Sequence, residues 1–376
     1  MSAAKTAATS TAPLLLDSAF RVCARPALVA EVRAQYGELG GWRAPHQVPM
    51  VYNDIYNIGF MGIERFHPFD SHKFGKVVRA LGKAKLVSRD QLVEAKEASQ
   101  EVLADVHTEK YLKSLNKGKW KLAEITEAWL IVLLPNFLIQ SRMNRPMRFH
   151  VGGSILAAAL ALEYGWAINI GGGMHHANFE DGSGWCAYSD LSLAMRKLRK
   201  ASNGKVQKFM IVDLDVHQGN GHERDKLHFA DPDVHILDIY NCDIWPGDTE
   251  AKAAIDTKVE VHTGMQDAAY LQALAKALAD AFQSFQPDFV IYNAGTDILL
   301  GDPLGKLKVT AAGVAKRDEM VFQAALDHQV PICMYLSGGY AKNSAAVIGQ
   351  CISHLLNKFE LVPGASAGDA KAATSV

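Results

Sequence analysis

Five short runs of almost unbroken apolar residues constrain this chain more than anything else in it. They are Trp166–Ile170 (WAINI), Phe209–Leu214 (FMIVDL), Val234–Tyr240 (VHILDIY), Phe289–Asn293 (FVIYN) and Pro331–Leu336 (PICMYL). A strand with one wet face alternates apolar with polar residues. These runs do not, so each predicts a strand covered on both faces. Helical patterns lie between them: Ser154–Tyr164, a helix capped by Ser189 and running to Lys200, Asp267–Phe282 and Ala311–His328. Strand and helix in alternation predict an α/β fold, a single doubly wound, mainly parallel sheet with helices on both faces. Before about residue 152 the pattern is helical and irregular, with one extended segment at Val48–Tyr52.

Polar residues gather at the C-terminal ends of the predicted strands: Gly171–His176, Asp213–His217, Asp238, Asp297 and Ser337–Tyr340. Open α/β sheets place ligands there, because the loops leaving the strands converge on one crevice, so the active site is expected at those ends. Asp213, Asp215 and His217 alternate along one strand exit and fall on one side of it, as a polar network or as metal ligands. Gly219 and Gly221 follow, in a loop that lets backbone approach a ligand. Asp297, leaving the next strong strand, can complete a three-ligand set with Asp215 and His217. Such a set leaves positions open for water and substrate, as a catalytic zinc requires.

The adjacent His175 and His176 suit a structural pair, a metal site or proton transfer. Asp213 and Asn220 are each able to orient one ring by accepting its other N–H. Ser337-Gly338-Gly339-Tyr340 reads either as a glycine turn with a surface tyrosine or as a phenol placed to donate to an oxyanion. Asp302 before Pro303 reads as a turn residue, His67–Asp70 and Val106–Thr108 as turns and caps, and Glu223 as a helix-start charge.

Composition excludes several classes. The chain has 376 residues, 49% hydrophobic and 21% charged, enough for a large core. Lys+Arg number 39 against 40 Asp+Glu, leaving no basic field for direct nucleic-acid binding. Cys23, Cys186, Cys242, Cys333 and Cys351 show no CxxC spacing, which predicts a reduced, intracellular protein of nucleus or cytoplasm without a disulfide framework. The most apolar run, Ala128–Ile139, is too short to span a membrane and is broken by Pro135. The Ala/Ser/Thr-rich residues 1–18 predict a disordered leader, with an organelle transit peptide as the alternative. Residues 362–376 predict a disordered tail, and 19–361 one catalytic domain.

Taken together, NIGFMGIERFHPFD (57–70), ITEAWLIVLLPNFL (125–138), GWAINIGGGMHH (165–176), DLDVHQGNGHERD (213–225), YNAGTDILLGDPLG (292–305) and LSGGYA (336–341) resemble the zinc-dependent histone deacetylases of the arginase-like fold, class IV most closely. The resemblance implies hydrolysis of acyl-lysine amides in histone or non-histone proteins, with long fatty acyl groups among the substrates. It implies Zn2+ on Asp215, His217 and Asp297, His175 paired with Asp213, His176 as general base oriented by Asn220, and Tyr340 as catalytic tyrosine. It further implies an acyl-lysine tunnel at Gly184, Trp185, Trp245, Gly338 and Gly339. A structural K+ would lie near Asp213, Asp215, His217 and Asp238, and partners of corepressor type are expected. Asn220 stands where class I members carry Asp, which predicts a weaker base at His176.

Three other readings stay open. A binuclear manganese hydrolase of the same fold needs carboxylates where this chain has Gly219 and Gly295. A deacetylase of small, polyamine-type amides would keep the same site. A catalytically weak scaffold would show a lost ligand, base or tyrosine, and all of these are present.

Overall fold

Seven strands, all parallel, form the centre of the molecule in the order β1-β2-β7-β6-β3-β4-β5. They are β1 (Met50–Val51), β2 (Trp166–Asn169), β3 (Phe209–Asp213), β4 (Val234–Asn241), β5 (Thr257–Val261), β6 (Phe289–Asn293) and β7 (Ile332–Tyr335). The computed structural model describes residues 18–36, 42–59 and 70–363. Most of the expected leader and tail, and His67 with its two successors, lie outside them. Ser18 and Val362, at the described ends, are buried.

The five apolar runs are β2, β3, β4, β6 and β7, and every residue in them is buried, because helices cover both faces. Two edge strands complete the sheet. The extended segment at Val48–Tyr52 supplies the two-residue β1. β5 has no counterpart among the five runs. Its TKVEV pattern leaves alternate residues half-exposed, since an edge strand covers one face only. The chain winds outward from β3 through β4 to β5, then returns to insert β6 and β7 between β3 and β2. The register aligns Asn169, Tyr335, Asn293, Asp213 and Asp238 as one row across five neighbouring strands. For four of the five strands that row is the last residue. β4 runs three residues further, so Asp238 lies within its strand rather than at its end.

Helices occupy the connections that parallel pairing demands. The 145–164 helix starts nine residues before the expected Ser154. Gly152 and Gly153 within it serve close packing: a Cβ on Gly153 would stand 1.8 Å from the Tyr56 hydroxyl. The 190–201 helix is where expected, yet Ser189 does not cap it. Its hydroxyl donates to Asp225 at 2.6 Å instead. Helices 267–284 and 311–327 match the periodicity, and further helices cover 73–83, 220–229 and 344–358. No helix among the described residues is long and apolar enough to cross a membrane.

Candidate active site and metal centre

The exits of β3 and β6 bring Asp215, His217 and Asp297 together, all buried, with ligand atoms within 4.8 Å of one another. His217 Nδ1 lies 3.1 Å from Asp215 Oδ1 and 3.3 Å from Asp297 Oδ2. The second oxygen of each carboxylate is tied to the scaffold. Asp215 Oδ2 accepts from the Ser337 hydroxyl at 3.0 Å and the Gly338 N–H at 2.9 Å, and Asp297 Oδ1 accepts from the Val216 N–H at 2.9 Å. Asp297 Oδ2 is buried and accepts no well-directed hydrogen bond.

Two carboxylates buried at one point need a cation. Burial and the charge of Asp215 push Asp297 up to about 7. Asp215 stays well below the usual range because His175 and His217 outweigh its burial. Burial would lower the His217 imidazole, but the two carboxylates hold it up at about 10. A proton on His217 is one answer to that demand, and a divalent ion is the other. One imidazole nitrogen and two carboxylate oxygens, each steadied from behind, fit a zinc-type centre. The carboxylates that a second metal would need at positions 295 and 219 have no room. A Cβ on Gly295 would lie 2.2 Å from Asp215 Oδ2, and one on Gly219 would lie 2.5 Å from Asp213 Oδ2.

Beside this centre the 171–176 loop places two imidazoles 4.0 Å apart. Asp190, at the start of the 190–201 helix, accepts the N–H groups of Gly173 and Met174 at 2.9 and 2.8 Å and so fixes the loop. His175 Nδ1 meets Asp213 Oδ2 at 2.9 Å. That oxygen also meets His222 Nε2 at 2.8 Å, and the other accepts from Asn293 at 2.9 Å. Burial would lower the His175 imidazole, but Asp213 and Asp215 raise it to about 9.

His176 is the opposite case: burial and the neighbouring His175 and His217 hold it well below its ordinary value, hence neutral. Its Nδ1 lies 2.8 Å from Asn220 Oδ1. The Asn220 amide donates its N–H to Asp248 at 3.3 Å, and Asp248 is gripped by Arg224 at 2.6 and 2.8 Å. That chain orients the amide oxygen toward His176. The His176 Nδ1 must therefore carry the proton and Nε2 the lone pair.

Tyr340 reaches the same cleft, its ring 6.1 Å from that of His217; the His176 ring is 5.9 Å from it. Burial and the charges of Asp215 and Asp297 push the phenol far up, so it stays an O–H donor. Asp302 proves more than a turn residue. One oxygen accepts from Leu304 and Gly305, and the other accepts the N–H groups of Tyr340 at 2.7 Å and Ala341 at 3.0 Å. From beneath, the buried Lys73 donates to the Ser337 carbonyl, and Arg317 donates to the carbonyls of Leu214 and Gly295. Gly184, Trp185 and Gly338 line the cleft, which opens to solvent. Gly339 is not part of its lining. Trp245 stands at the rim, half exposed, its ring edge-on to His176 at 4.5 Å.

Asp213 and Asp238, two of the residues expected around a monovalent cation, are neighbours in register on β3 and β4. Asp238 accepts from the Gly219 N–H at 2.9 Å, and burial, Asp213 and Glu223 push its carboxyl well up. Glu223 stands in the first turn of the 220–229 helix, as expected of a helix-start charge. It is buried, bonded to Gln218 at 2.6 Å, and faces Asp238, an arrangement that shares a proton. His107 lies away from the cleft, its Nε2 accepting the Ser189 N–H at 3.0 Å.

Comparison with known proteins agrees with this geometry. A model of the histone deacetylase domain matches residues 67–357. The chain is 49% identical to histone deacetylase 2 of Arabidopsis thaliana over 313 residues, 82% of this chain and 79% of that protein. It is 30% identical to histone deacetylase 8 of Xenopus tropicalis over 270 residues, 68% of this chain and 70% of that one. A crystal structure of the HDA15 HD domain superposes with a TM-score of 0.66 at 22% identity, covering 83% of this chain and 88% of the other, a likeness of fold.

Proposed function

The chain belongs to the histone deacetylase domain family, whose members are hydrolases, and from that premise we propose that it hydrolyses the amide of acyl-lysine in proteins with one zinc ion held by Asp215, His217 and Asp297. The observation that carries the reading is the convergence on one cleft of that ligand set, a neutral imidazole with a free Nε2, and a protonated phenol. When bound, the ion supplies Lewis acidity moderated by two carboxylates. The side chains do the rest. His176 Nε2 accepts a proton from the attacking water and later returns it to the departing lysine amine. Tyr340 donates its O–H to the developing oxyanion. His175, held charged by Asp213, adds positive potential beside the base. Asn220 stabilises the His176 imidazolium less than a carboxylate would, and Asp248 restores part of that effect through the amide.

The walls support a long acyl group. Beyond the histidines the cleft continues between Tyr56, Ile58, Phe74, Met147 and Met174, an apolar lining that favours a fatty acyl chain over acetyl. This agrees with the class IV likeness of the motifs, which belongs to the same proposal, as do the K+ near Asp213 and a nuclear or cytoplasmic setting. A second, polar groove runs from His176 and Asn220 past Glu180, Asp181, Asp248 and Glu250, with Lys110 and Arg224 as its strong cations. It offers a basic peptide the local attraction that a net charge of -1 does not. The test is hydrolysis of lysine peptides carrying acyl chains from acetyl to myristoyl. The reading expects kcat/KM to rise with chain length; a maximum at acetyl would overturn the fatty-acyl assignment.

A further inference from the structure

A second cluster of metal-ligating side chains lies outside the deep centre, at the ends of β4 and β5. Cys242 Sγ is 3.5 Å from His262 Nδ1 and 4.0 Å from Asp243 Oδ1, and that same Nδ1 is 2.9 Å from Asp243 Oδ1. Those three edges suit ligands around one ion. Zinc bonds of about 2.3 Å to sulfur and about 2.0–2.2 Å to nitrogen and oxygen put tetrahedral ligand atoms roughly 3.3–3.6 Å apart. The arrangement does not suit a relayed nucleophile. In a relay the thiol and the carboxylate would meet opposite ring nitrogens, and here the sulfur lies nearer to Nδ1, the nitrogen that Asp243 also meets, at 3.5 Å against 4.0 Å for Nε2.

The cluster is built by the sheet. Asn241 and Val261 are paired in register, and the Cys242 N–H continues that ladder to the Val261 carbonyl at 3.0 Å. Cys242 and His262 are therefore the next residues on two fixed neighbouring strands. Asn241 accepts the Asp243 N–H at 3.1 Å and donates to the Gly305 carbonyl at 3.0 Å. Asp243 Oδ2 accepts the Thr263 N–H at 2.9 Å, leaving Oδ1 toward His262. One pinned oxygen and one presented oxygen is the arrangement of both carboxylates in the deep centre. The His262 side chain is 72% exposed, so a fourth position stays open to water or to a ligand from another molecule.

From this geometry we propose that Cys242, Asp243 and His262 form a second binding site for a divalent transition metal of zinc type, just beyond the C-terminal ends of β4 and β5. Thiolate, imidazole and carboxylate select such ions over calcium or magnesium. Binding displaces the thiol proton to solvent.

The two centres differ in sulfur, and the test uses that. Chelator-stripped protein, kept reduced with a phosphine, is titrated with Co2+ and followed by absorption. The proposal expects a thiolate-to-cobalt charge-transfer band that disappears in Cys242→Ser and in His262→Ala. It expects each variant to retain one equivalent of Zn2+ fewer than the wild type in equilibrium dialysis. No such band in the wild type, or a band that survives Cys242→Ser, overturns it. An inert deep centre would lower every stoichiometry equally and leave the band untouched, so failure of that centre is told apart from failure of this one.

Discussion

Asp215 and Asp297 in the deep centre and Asp243 beyond the ends of β4 and β5 are prepared alike, each with one oxygen fixed by backbone or hydroxyl donors and the other turned toward an imidazole. Their surroundings differ. The deep carboxylates are shut away from water, so their mutual repulsion must be met by a cation, and Asp297 is pushed up to about 7 by burial and by Asp215. Asp243 is 43% exposed in its side chain, and water screens its charge. Charge balance in the deep centre thus calls for a cation, either an ion or the proton on His217, whereas at the ends of β4 and β5 ion binding depends on the thiolate.

The sharpest way to break that contrast is to remove a group acting only at the deep centre. Tyr340→Phe is expected to lower kcat on an acyl-lysine peptide by about a hundredfold to a thousandfold, the cost of losing one oxyanion donor. Unchanged turnover in steady-state kinetics would remove the phenol from the mechanism. A smaller effect probes the support behind the base. Asp248→Asn frees the Asn220 amide to rotate, and kcat should fall about tenfold with KM nearly constant. A rise in KM alone would place Asp248 in the peptide groove instead. The smallest effect is expected at the outer cluster: Cys242→Ser should leave peptide turnover without added metal within about twofold of wild type, because the residue touches none of the reacting groups. A large loss would show that the two clusters are coupled.

Much of this was legible in the sequence, for physical reasons. Strands buried on both faces announce themselves as apolar runs, and glycine-rich exits with Asp, His and Tyr mark the ends that face the crevice. β5 was hidden because an edge strand needs no continuous apolar character. The supporting residues were hidden for another reason. Asp302 holds the Tyr340 backbone across 38 positions, Asp190 holds Gly173 and Met174, and Asp248 orients Asn220 across 28. Such residues act through backbone N–H groups or amides brought close by the fold, and no local spacing announces them. His222 had a weak signal, lying five residues after His217, but only the turn into the 220–229 helix brings it onto Asp213.

The central claim is that Asp215, His217 and Asp297 hold an ion on which hydrolysis depends. It is tested most directly by stripping the protein with a chelator, dialysing, and measuring hydrolysis of a fatty-acyl-lysine peptide before and after one equivalent of Zn2+ is returned. Activity is expected to be lost on stripping and restored by zinc in the wild type and in Cys242→Ser, with no restoration in Asp215→Asn. Full activity in the stripped protein, or restoration in Asp215→Asn, would contradict it.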